Sequence, residues 1–158
     1  MKHILLVLFL ATACHHAGTL RGERVLERGG ELAGVSLEDK KVQLTASTLS
    51  AWGVIEVPDG SRMQASYAGA DAIARSELLK YVRVRVEDVM VSVDSTDPAR
   101  RDAYEHTVET VHGTLRRGGI TQHAWERVQR GEQRILRVWS RLSVPRADLQ
   151  SVLPPGTL

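Results

Sequence analysis

Apolar residues recur in different rhythms along this chain, and each rhythm predicts a different element. Residues Ile4 to Leu10 form an unbroken run of seven apolar side chains. From His15 to about Ser50 no period persists. Charges and glycines (Gly18, Gly22, Gly29, Gly30, Gly34) scatter among isolated Val and Leu, which reads as a mobile tether over residues 14–50. Within it, Lys41 to Thr45 alternates Val42 and Leu44 with polar neighbours and has the pattern of an edge strand. The folded domain is expected to begin at Ala51 and to extend over residues 51–158. Trp52 to Val57 is aromatic and β-branched and stops at the turn signature Pro58-Asp59-Gly60, which predicts a strand.

From Ser66 to Lys80 the spacing changes to threes and fours. Tyr67, Ala70, Ala74, Leu78 and Tyr81 fall on one helical stripe, and the alanines Ala68, Ala70, Ala72 and Ala74 let such a helix approach a sheet closely. Val82 to Asp94 then alternates, with Val82, Val84 and Val86 out of phase with Val89, Val91 and Val93. This predicts a strand with a β-bulge near Glu87-Asp88. Asp97-Pro98 is a helix start, Tyr104, Val108, Val111 and Leu115 its buried stripe, and Gly118-Gly119 its end. Ile120 to Arg130 and Gln133 to Val144 form the arms of a hairpin around Gly131, and Pro145 opens a short helix over Ala147 to Val152. The order strand, helix, strand, helix, strand, strand implies an α+β domain with a mostly antiparallel sheet and two packed helices.

Returned to its context, the apolar run becomes an address. Lys2 supplies a positive n-region, Ile4 to Leu10 an h-region, and Ala11-Thr12-Ala13 the small residues that precede a cleavage site between Ala13 and Cys14. Cys14 is the only cysteine in the chain. Ordinary signal peptidase could cut at this bond, but an exported protein seldom keeps one unpaired thiol, and acylation of Cys14 as in bacterial lipoproteins removes it. Residues 1–13 are therefore expected to be a lipoprotein signal peptide. Two or three acyl chains, at roughly 0.8 kcal/mol per buried methylene, make a stable anchor. His15, rather than an aspartate, after the cysteine agrees with sorting to the outer membrane, facing the periplasm.

Charge narrows the candidates for a contact surface. The whole chain carries 21 basic and 19 acidic residues, so its sum favours no partner. Between Arg116 and Asp148, however, eight arginines face only Glu126, Glu132 and Asp148. Arg137, Trp139 and Arg141 share one face of the second hairpin arm, with Trp125, Arg127 and Arg130 across the turn, and aromatics beside arginine are what interface cores enrich. The alternatives are that Trp139 packs under a helix with the arginines forming an ordinary solvated edge, or that the patch binds peptidoglycan or lipopolysaccharide. Nucleic acid is not an expected partner of an exported chain.

Chemistry is sparse. His15, His16, His106, His112 and His123 could supply a base, but His106 and His112 are six apart on a helix and cannot share a metal as i, i+4 ligands do. No HExxH, GxSxG or Walker pattern occurs. No catalytic residue, metal or cofactor is expected.

With these elements in place, Ala51 to Leu149 resembles the Lpp-twenty family of 20-kilodalton bacterial lipoproteins, some of whose members are flagellar. The likeness is carried by Ala51-Trp52, by Ala70-Asp71-Ala72-Ile73-Ala74-Arg75-Ser76-Glu77-Leu78, by Val82-Arg83-Val84-Arg85-Val86, and by a closing hairpin that ends in Pro145-Arg146. The resemblance implies a dodecin-like helix-on-sheet fold and an outer-membrane lipoprotein. Such a protein would act by contact, through self-association or with other envelope proteins, and association with the flagellum is among the roles implied.

Overall fold

The structure, a computed structural model, describes residues 22–30, 42–90, 98–117 and 120–158. The chain order is β1 (Glu23–Gly30), β2 (Val42–Leu44), β3 (Thr48–Pro58), α1 (Met63–Met90), α2 (Pro98–Arg117), β4 (Ile120–Arg130), β5 (Gln133–Pro145) and α3 (Arg146–Gln150). The fold is α+β: a five-stranded sheet in the order β1-β4-β5-β3-β2, with every pairing antiparallel. Its centre is the hairpin expected around Gly131, whose φ of +60° fits the first position of a two-residue turn. β3 then pairs with the other side of β5 along its whole length, from Thr48 opposite Pro145 to Pro58 opposite Ile135.

The largest departure from the sequence pattern is α1, which runs through Val82–Val86 and on to Met90, where a bulged strand was expected. The reason lies in the spacing of four. Ser66, Ala70, Ala74, Leu78, Val82 and Val86 are all buried, so the alternating valines continue the alanine ladder, while Val84 is 56% exposed. Valine's preference for strands is weak and yields to packing. A spacing of four drifts by about 40° per step on a helix of 3.6 residues per turn, so the buried stripe winds around α1. Ala70 meets Leu136 and Val138, whereas Ala74 through Val86 meet Leu49, Ala51, Leu142 and Val144 together with Val111 and Leu115 of α2. This segment carried part of the family likeness, and in the structure that part is helical.

The alanines do bring helix and sheet into close approach. A Cβ placed on Gly53 of β3 would stand 1.9 Å from the Ala70 carbonyl oxygen and 2.5 Å from the Ala74 nitrogen, so α1 lies with its backbone against the strand. In α2, Val111 and Leu115 are buried and Tyr104 and Val108 half-buried, the stripe read from the sequence.

The expected tether also changes character. Glu23–Gly30 is strand β1, paired with β4, and β3 begins at Thr48, so the sheet draws on residues well before Ala51. Two of the glycines that suggested a linker, Gly29 and Gly30, serve contact instead. A Cβ on Gly29 would come within 2.7 Å of the Trp125 ring, which lies over the strand. Val42–Leu44 pairs with β3 as the edge strand its alternation suggested. The signal peptide, Cys14, His15, His16, Asp97 and Gly118-Gly119 lie outside the described residues. Among those described, no helix is long and apolar enough to cross a membrane.

Candidate functional site

Strand alternation divides the six candidate surface residues between opposite faces of the sheet. Trp125 packs with Ala70, Leu136 and Val138 on the helix-covered face, and Arg127 stacks 5.1 Å over its ring. Arg130, Arg137, Trp139 and Arg141 point the other way, opposite the side on which Leu136, Val138, Leu142 and Val144 meet the helices. The structure therefore brings together four of the six.

Arg137 is the hub of this second face. Its side chain is 3% exposed, and every nitrogen donates to a carboxylate. Nε donates to Glu56 at 2.7 Å, Nη1 to Glu126 at 2.8 Å, and Nη2 to both oxygens of Glu23 at 3.1 and 2.9 Å. Arg130 joins the same cluster, donating from Nε to Glu23 at 2.6 Å and from Nη2 to Glu56 at 2.9 Å. Two guanidiniums thus tie three carboxylates drawn from β1, β3 and β4. Burial raises the carboxyl pKa of Glu23 and of Glu56, but the hydrogen bonds and charge of Arg137 and Arg130 outweigh it, and both groups end below the ordinary 4.5. Arg127, on the opposite face, is held by Glu27 and by Asp59 at 2.6 Å. The arginine excess of the C-terminal third is therefore largely balanced by acids brought from elsewhere in the chain. An anion at Arg127, Arg130 or Arg137 would have to displace them.

Beyond the cluster the face becomes aromatic. Trp139 is 3% exposed although it points away from the helices, and Arg137 lies 5.9 Å over its ring. Arg141 stacks 5.6 Å from the Trp52 ring and reaches Ser50 Oγ at 3.3 Å and Gln122 Oε1 at 3.4 Å. Ser50 and Ser143 bond at 2.8 Å, and Val54, beside Trp139, is 38% exposed. Trp139 thus matches neither reading of the sequence: it lies beneath none of the described helices and is not open to solvent.

Of the histidines, His106 and His112 are exposed on α2, while His123 bonds Asp71 of α1 at 2.9 Å and stacks on Tyr67 at 4.6 Å between centroids. A base oriented by a carboxylate invites comparison with a hydrolase. The hydroxyl paired with it across the hairpin, Ser140 opposite His123, is fully buried and makes no hydrogen bond among the described residues. The pair joins α1 to β4. Among the described residues, no three His, Cys, Asp or Glu side chains are grouped to hold a metal ion.

One partner of Arg137 was legible in advance. A two-residue turn at Gly131-Glu132 sets Glu126 directly opposite Arg137, so the hairpin alone pairs them. Glu23 and Glu56 have no local signal, since they arrive from 114 and 81 residues away. Compared with known proteins, the chain matches no family model, no curated protein and no solved structure.

Proposed function

We propose that this chain is a non-enzymatic lipoprotein, anchored at Cys14 in the outer membrane and facing the periplasm, whose α+β domain works as a structural or assembly subunit of the cell envelope. The reading rests on the n-region, h-region and small residues before a lone cysteine, and on the partial likeness to the Lpp-twenty family. The observation that carries assembly over binding of peptidoglycan or lipopolysaccharide is the state of the arginines. Of the basic residues nominated for an anion, Arg130 and Arg137 are bonded to Glu23, Glu56 and Glu126, Arg127 is held by Glu27 and Asp59, and Arg137 is buried, while Arg141 stacks on Trp52 and bonds Ser50 and Gln122. Contact with proteins requires no displacement of those acids. β1 and β2, the outer strands of the described sheet, offer main-chain groups for it.

The test has two arms. The native chain, expressed in a Gram-negative host with a palmitate analogue, should be labelled and should fractionate with the outer membrane, and Cys14→Ser should abolish the labelling. Persistent labelling of the serine variant, or recovery of the native chain as a free periplasmic protein, would sink the anchor. In the second arm, mild cross-linking in intact cells should join the chain to envelope proteins or to itself. An exclusively monomeric band would count against assembly.

A further inference from the structure

We propose that β1 is the surface through which two copies of this chain associate, each laying its β1 antiparallel against the other to make one continuous sheet. The proposal rests on the assembly reading and names its partner and surface. β1 is outermost among the described strands, and among them it pairs only with β4, on its inner side. Its sequence Glu23-Arg24-Val25-Leu26-Glu27-Arg28 is its own charge complement when reversed. Glu23 falls opposite Arg28 and Arg24 opposite Glu27, with Val25-Leu26 at the centre.

A regular strand could not use this register. Residues facing one another across a two-fold axis normal to the sheet must share a face, and numbers of opposite parity do not. The irregularity between Val25 and Glu27 removes the obstacle, because Leu26 is the extra residue of a bulge. Glu23 and Arg28, aligned with Arg130 and Glu126, then both lie on the Arg137 face. Arg24 and Glu27, aligned with Gln129 and Arg127, both lie on the helix face. Arg24 and Arg28 are exposed and form no ion pair among the described residues, and Leu26 is 43% exposed. Glu27, 56% exposed and already holding Arg127, has room for a second guanidinium, so Arg24–Glu27 sets the register. Charged edges and bulges also keep strands apart. What selects a second copy here is that the two exposed edge charges, Arg24 and Glu27, each meet their opposite.

The experiment co-expresses two differently tagged full-length copies, solubilises the membranes in mild detergent, and measures how much of one copy is captured with the other. Native copies should capture each other. Arg24→Glu in both, which sets a carboxylate against Glu27 at each end of the pairing, should lower capture at least about tenfold, as should Glu27→Arg in both. One copy of each variant should restore it, because both cross-strand pairs are then opposite in charge. Unchanged capture in either single-variant pair, or no recovery in the mixed pair when both variants keep the native unfolding midpoint, would overturn the proposal. Labelling at Cys14 is a separate readout. Its loss would undo the anchored reading and leave this result standing, while capture indifferent to residue 24 would do the reverse.

Discussion

The two faces of the sheet are held by different physics. On the helix face, Leu49, Leu78, Val82, Leu136 and Leu142 are fully or nearly fully buried, and α1 comes down onto Gly53 with backbone against backbone. On the opposite face the buried residues include Arg137 and Glu126, and strands β1, β3 and β4 are bound to β5 through charge. The first face leaves no room for a Cβ at Gly53. The second is sensitive to the loss of one charge and to acid. A surface that looks basic in sequence can thus serve as internal scaffold.

The largest effect is expected at the hub. Arg137→Ala leaves Glu23, Glu56 and Glu126 clustered without their common partner, and loss of one member of a buried ionic group costs about 3–5 kcal/mol. Urea unfolding of the full chain should show it, and a loss below about 1 kcal/mol would mean that the cluster does not hold the strands together. Gly53→Ala breaks the other face. Its Cβ would meet the Ala70 carbonyl at 1.9 Å, and overpacking of this kind costs about 1–3 kcal/mol. An unchanged midpoint would show that α1 can lift away.

Acid separates the faces without a clash. Glu23 and Glu56 have carboxyl pKa values below 4.5 in the fold, so their share of stability is complete above that value and is lost as pH falls through the lowered ones. Stability of the native chain should therefore drop on acidification below pH 4.5. Gly53→Ala should reproduce that drop, whereas Arg137→Ala, whose acids have lost the partner that lowered them, should show less of it. Parallel pH curves for all three chains would contradict the assignment. The smallest effect is at Arg127, 35% exposed against a Glu27 that is 56% exposed. Arg127→Ala should shift the unfolding midpoint less than either of the other substitutions, and that shift should shrink in salt.

What could be read from the sequence follows the range of the interactions. The hairpin, α2 and the alanine helix were legible because turn residues and three-to-four spacing act within a few positions. Val82–Val86 misled because alternating valines satisfy a strand and, at Val82 and Val86, also a spacing of four. Only the contacts with Leu142, Val144 and α2 favour the helix. β1 was hidden for a related reason. It has no apolar alternation, its glycines resemble a linker, and what fixes it is Trp125 over Gly29 and Arg130 and Arg137 on Glu23. The candidate surface was half legible: Glu126 follows from the hairpin register, but the acids of β1 and β3 that neutralise Arg137 do not.

The proposal at stake is that Arg130 and Arg137 hold this sheet while contact with other proteins falls to its edges. Its most direct test is the Arg137 Nε–H resonance of the isotope-labelled full chain, observed by NMR in detergent while soluble peptidoglycan fragments or lipopolysaccharide are added. A proton held by Glu56 at a donor distance of 2.7 Å should exchange slowly and keep its shift throughout the titration. A saturable shift, with exchange accelerating as fragments or lipopolysaccharide are added, would show that Arg137 leaves its carboxylates for an external anion, and would contradict the account.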